Sequence, residues 1–100
     1  MFEATQQDDV TIIRGADELT KDELSAIAAI ARRARASGLR VVIDLKHVTH
    51  LHYAGAALLA AIPGLRAAGA SRYVRDLVHA GGAGGHVELF EDVEDATRAA

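Results

Sequence analysis

The sequence predicts a single α/β domain, built as a mixed β-sheet with helices packed on it. Short β-branched or apolar runs alternate with segments of helical period, an order typical of α/β folds. The run over residues 39–45 is apolar almost throughout, as in a strand covered on both faces. The 100 residues contain no linker, repeat or low-complexity tail, so we expect one domain over residues 1–100.

The first third of the chain predicts two strands and a helix. Val10–Ile13 is a β-branched run between polar residues, which is typical of a strand, and Phe2–Thr5 is a candidate edge strand beside it. Thr20 and Glu23 have the spacing of a capping box, in which each side chain bonds the backbone amide of the other residue. Apolar residues then recur at helical spacing until Ser37-Gly38, where the glycine can end the helix.

The middle third predicts a strand, a polar loop and a second helix. Leu39–Leu45 is the predicted strand, and the loop follows it up to Ala54. Gly55–Ile62 is the predicted helix, and Pro63-Gly64 should end it because proline has no backbone amide to donate. Leu65–Ala68 is predicted as one further helical turn.

The last third predicts a helix, a strand and a terminal helix. Ser71–Val78 has apolar residues at helical spacing, with its serine as the N-cap; a strand over the same segment is the alternative. Gly81–Gly85 is predicted to be a flexible connector. His86–Phe90 is the predicted strand, and residues 93–100 have the spacing of a short helix.

Composition excludes several classes of function. The formal net charge is −3 and the basic residues are scattered, which disfavours nucleic-acid binding. The chain has no cysteine, so disulfides and thiol chemistry are excluded. No apolar run approaches the roughly 18 residues that a membrane span needs, and the first residues lack the basic start and apolar middle of a signal peptide. We therefore expect a cytoplasmic protein.

Four segments resemble the STAS family, the fold of the anti-sigma-factor antagonists. They are Val41–Leu51, Gly55–Leu59, Tyr73–Val78 and Val87–Ala96, and their order and spacing carry the resemblance. It implies a non-enzymatic protein that binds regulatory proteins and needs no cofactor.

Two departures from the family pattern matter. The family places a strand between the second and third helices, and this chain leaves too few residues there for one. One sheet strand is therefore predicted to be deleted, so that the last strand pairs with Val41–Leu45 or another subunit fills the gap. The second departure is the loop before the second helix, where relatives carry Asp-Ser-Ser-Gly or Asp-Ser/Thr-x-Gly and this chain has His52, Tyr53, Ala54 and Gly55. The resemblance aligns the phosphoacceptor with Ala54, which has no hydroxyl, so no phosphorylation is expected there.

The predicted contact surface for a partner is this loop and the start of the following helix. Its residues are Asp44, His52, Tyr53, Ala54, Gly55 and Leu58. Tyr53 is the kind of aromatic anchor that interfaces favour, although packing across the loop is an equally good interpretation. Asp44 interrupts an apolar strand; the resemblance implies that it supports the loop, and a solvated carboxylate is the alternative.

The predicted partner is a kinase-type anti-sigma factor or another STAS protein. The alternative is an accessory role on the ATPase of an ABC transporter, and an exposed strand edge would favour a homodimer. A third hypothesis is zinc or nickel binding by His47, His50 and His52. Three side chains on a strand-to-helix loop need not converge, so no metal site is predicted. No serine has the setting of a catalytic nucleophile, and no catalytic residue is predicted.

Overall fold

The computed structural model describes residues 1–80 and 87–99 and shows the predicted mixed sheet. Its five strands are neighbours in chain order: β1 (Phe2–Gln7), β2 (Val10–Leu19), β3 (Arg40–Leu51), β4 (Arg66–Ala68) and β5 (Glu88–Phe90). β1 is the predicted edge strand and pairs with β2, in antiparallel orientation; the other pairs are parallel. The carboxyl ends of the parallel strands therefore lie at one edge of the sheet.

Helices cover both faces of the sheet. They are α1 (Lys21–Ala36), α2 (Tyr53–Ala60), α3 (Arg72–Ala80) and α4 (Val93–Arg98). The first three share the larger apolar core, and α4 packs on a smaller core on the opposite face. β3 contributes side chains to both cores because successive side chains of a strand point to opposite faces of the sheet. Val41 and Ile43 face the larger core, and Val42 faces the smaller one. None of the helices in the described part of the chain is long and apolar enough to cross a membrane.

The helix starts predicted from capping residues are confirmed. The Glu23 amide donates to Thr20 Oγ1 at 3.2 Å, and the Thr20 amide donates to Glu23 Oε1 at 3.2 Å, which completes the capping box of α1. Hydrogen bonds from the N-terminal amine and the Thr20 amide lower the pKa of Glu23. At α3, the Val74 amide donates to Ser71 Oγ at 3.2 Å, so this segment is the predicted helix and not the alternative strand.

The prediction of a deleted strand is wrong. The strand is β4, and it occupies the segment predicted as a further helical turn, Leu65–Ala68. β4 pairs with β3 on one side and β5 on the other, so the last strand does not pair with Val41–Leu45. Alanine has little preference for strands; Arg66-Ala67-Ala68 is extended because its two neighbours supply the pairing. Gly64 and Gly69, with φ of 71° and 74°, allow the turns on either side.

The last strand and the connector before it are placed only in part. β5 begins at Glu88, two residues after the predicted start at His86. Both His86 and the predicted connector Gly81–Gly85 lie outside the described residues.

The predicted polar loop before α2 is also wrong. β2 and β3 continue to Leu19 and Leu51 as paired strands, and α2 begins at Tyr53 rather than at Gly55. A single residue, His52, therefore joins strand to helix. Its Nδ1 accepts a hydrogen bond from the Ala54 amide at 3.2 Å, so His52 is the N-cap of α2. We call residues 52–55 the corner.

Gly55 is buried inside the first turn of α2, where it allows α1 and α2 to approach closely. A Cβ atom at this position would lie 2.4 Å from Leu24 Cδ1 and 2.9 Å from Leu24 Cβ. Leu24 is fully buried in the larger core, so it has little room to move aside. A side chain at position 55 would push α2 away from α1 and shift the corner.

We predict that Gly55→Ala lowers the free energy of unfolding by about 1–3 kcal/mol, the usual cost of over-packing a core. Alanine alone would favour the helix by about 0.5–1 kcal/mol, so a net loss identifies the steric contact. Urea unfolding followed by circular dichroism measures it. In a Leu24→Ala background the same change should cost much less; an equal loss in both backgrounds would show that the Leu24 contact is not the cause.

We predict that His52→Ala destabilises the protein by about 0.5–2 kcal/mol, the cost of losing an N-cap acceptor. His52→Asn keeps an acceptor at the same position and should recover most of this loss. Urea midpoints of the three proteins provide the test. Equal midpoints for the alanine and asparagine variants would mean that the His52–Ala54 hydrogen bond does not stabilise α2.

Candidate functional site

The corner presents one large side chain to solvent. Tyr53 is 71% exposed, although its backbone begins a helix that is anchored in the core by Gly55. Its ring stacks on the half-buried ring of His52, with centroids 5.1 Å apart and an interplanar angle of 17°. Stacking and capping together hold His52 in place, and His52 in turn supports one face of the tyrosine. The corner therefore offers a positioned aromatic ring rather than a mobile loop side chain.

The other predicted contact residues of α2 are less accessible. Ala54 is half-buried and its amide is already bonded to His52. Leu58 is half-buried against the larger core, and Gly55 is buried. A partner would reach Tyr53 first, and then the outer edges of His52, Ala54 and Leu58.

The structure does not bring Asp44 together with the corner. Asp44 lies in the middle of β3, eight residues before His52, or roughly 25 Å along an extended strand. Its carboxylate accepts the Lys46 amide at 3.0 Å and faces Arg14 at 4.0 Å. These residues line an open cleft of about 370 Å³ beside α4, on the opposite face from α2. Asp44 is therefore ion-paired, and it has no direct contact through which to hold the corner.

The three histidines of the metal hypothesis point to different neighbours. His50 Nδ1 lies 2.8 Å from the Tyr73 hydroxyl, His52 caps α2, and His47 lies in a shallow cleft beside β1. Within residues 1–80 and 87–99, no three histidine, aspartate or glutamate side chains form a group that could hold a metal ion.

Tyr73 also belongs to this surface, although no sequence pattern indicated it. Tyr73 is in the first turn of α3, is 53% exposed and stacks on His50, with ring centroids 5.8 Å apart. His50 and His52 are two residues apart at the end of β3, and α2 packs against α3. The two stacked pairs thus belong to the same end of the sheet, and we call His50, His52, Tyr53 and Tyr73 the aromatic patch. Recognising β4 would have revealed it, since α3 then starts beside the end of β3.

Comparison with known proteins gives matches among solved structures only: no family model and no curated protein matches the chain. The unphosphorylated form of the anti-sigma factor antagonist SpoIIAA matches with a TM-score of 0.73 and 17% identity, over 97% of this chain and 93% of that one. The phosphorylated form of the Bacillus cell fate determinant SpoIIAA matches with a TM-score of 0.66 and 18% identity, over 97% and 96%.

A third similar structure is an uncharacterised protein with a SpoIIAA-like fold from Shewanella loihica PV-4. It matches with a TM-score of 0.57 and 16% identity, over 97% of this chain and 90% of that one. The three similarities extend over almost the whole chain, and the five-stranded mixed sheet with helices on both faces agrees with them. The chain has a SpoIIAA-like, STAS-type fold.

Proposed function

We propose that this chain is a non-enzymatic interaction module that binds a regulatory protein through the aromatic patch. The proposed partner is a kinase-type anti-sigma factor or another STAS protein. Binding would not depend on serine phosphorylation at the corner, because the aligned residue is Ala54. The partner itself, or its concentration, would then control the interaction.

The observation that carries the proposal is the exposure of Tyr53 on a corner that is packed against the core. A tyrosine that is 71% exposed can bury a large area on binding. Its ring is held by stacking on His52 and its backbone by the buried Gly55, so little conformational entropy is lost when a partner binds. Aromatic anchors of this kind commonly dominate the energy of an interface. Similarity to a structure of an anti-sigma factor antagonist supports the choice of partner class.

We predict that Tyr53→Ala removes the main partner from a pull-down made with the tagged protein in lysate of its native cell. Truncating the anchor of an interface commonly costs about 2 kcal/mol or more, or roughly thirtyfold in affinity. Arg33→Ala shortens an exposed side chain on α1 and should leave the recovered partners unchanged. Quantitative mass spectrometry of the three samples is the readout.

The same experiment distinguishes the alternatives. Identical partners with wild type and Tyr53→Ala would contradict the proposal. Tyr53-dependent recovery of a transporter ATPase would replace the proposed partner with the accessory role on an ABC transporter.

We predict that incubation with the recovered partner and ATP adds no phosphate to residues 52–61. Tyr53 carries the sole hydroxyl of this segment, and the aligned serine position is an alanine. Peptide mass spectrometry after proteolysis measures the modification, and Ala54→Ser is the matched positive control for a kinase-type partner. Phosphate on Tyr53 in the wild-type chain would show that the corner is controlled covalently after all.

A further inference from the structure

We infer that the aromatic patch docks an acidic segment of the partner, which approaches across α2 and α3. This inference rests on the proposed function and adds the chemistry of the surface that the partner must present. The observations that carry it are the distribution of charge around the patch and the exposure of its two tyrosines.

Acidic residues are absent from the part of the chain that forms α2 and the start of α3. The chain has 14 acidic residues and a net charge of −3, yet none lies between Asp44 and Asp76. α1 and α4 carry acidic side chains in their first turns, whereas α2 and α3 carry none. The positive ends of these two helix dipoles are therefore not offset by their own carboxylates.

Basic side chains flank the patch on the α3 side. Arg72 and Arg75 are both exposed, and Arg72 directly precedes Tyr73. Acidic side chains are nearby in three places: Glu18 is opposite His50 in the register of β2 and β3, the first turn of α1 carries two beside the corner, and Asp76 follows one turn after Tyr73. Two exposed arginines and one acidic residue thus lie at the start of α3, so the positive charge near the patch is concentrated there and not towards β2 and α1.

The patch can combine apolar burial with charge recognition. Each tyrosine offers an aromatic face for an apolar side chain of the partner, and neighbouring arginines can form hydrogen-bonded pairs with carboxylates. Complementary charge at the rim mainly accelerates association and selects the partner. An acidic segment with interspersed apolar residues fits both features, whereas a basic segment would meet two arginines.

Three fluorescent helical peptides of equal length test the inference. They share the same leucines and carry glutamate, glutamine or lysine at the remaining positions. Fluorescence anisotropy at low salt should show that the glutamate peptide binds best, with an affinity that falls as salt is added. Chemical-shift mapping of the labelled chain should place the bound peptide at residues 50–58 and 71–76.

A pair of charge reversals supplies the matched control. Arg72→Glu/Arg75→Glu should weaken binding of the glutamate peptide by about tenfold or more. Arg32→Glu/Arg33→Glu makes the same change in net charge on exposed positions of α1 and should have little effect. Equal weakening by both pairs, or equal binding of the three peptides, would overturn the inference.

The outcomes also separate this inference from the proposed function. One result would be a Tyr53-dependent partner recovered from lysate, together with no preference for the glutamate peptide. That result would support the proposed function and overturn the inference that the partner segment is acidic. Analytical sedimentation of wild type and Tyr53→Ala provides one more outcome. If the wild type is a dimer and Tyr53→Ala is a monomer, a second copy of this chain covers the patch, and the inference of an acidic partner is overturned.

Discussion

The close contact of Gly55 with Leu24 is the constraint on which the candidate site depends. It lets α2 begin with a single residue between it and the end of β3, because the first turn of the helix can lie directly on α1. His52 is then the one residue that can cap the helix, and Tyr53 must project from the first turn into solvent. A bulkier residue at position 55 would shift the helix start, the His52 cap and the Tyr53 side chain together. Packing in the core therefore determines the shape of this surface.

The capping geometry gives His52 a structural role at the corner. Small polar residues such as aspartate are the commonest N-caps because their side-chain oxygens accept a backbone amide. A neutral histidine can do the same with one ring nitrogen, as Nδ1 does here towards Ala54. His52 therefore starts the helix and also provides a ring on which Tyr53 stacks. One residue thus determines both the geometry of the corner and its aromatic surface.

Local signals predicted much of the fold, and tertiary pairing explains what they missed. The capping box at Thr20 and the cap at Ser71 depend on residues a few positions apart, so the sequence shows them directly. β4 has no such signal: Arg66–Ala68 is short and alanine-rich, and its neighbours β3 and β5 are distant in sequence. Tyr53 could be predicted as a contact residue because it lies next to the helix start in sequence. Tyr73 could not, because its contact with His50 joins residues that are distant in sequence. Asp44 lies beside Arg14 on β2 and far from the corner, a placement that depends on strand pairing and not on the residues next to it in sequence.

We have proposed that a partner binds where strand β3 turns into helix α2. Amide hydrogen exchange, compared between the free chain and its complex with the recovered partner, tests this claim residue by residue. We expect slower exchange in residues 50–60 and in the first turn of α3, with little change in β1 and α4. Protection confined to β1 or α4 would place the partner elsewhere and contradict it.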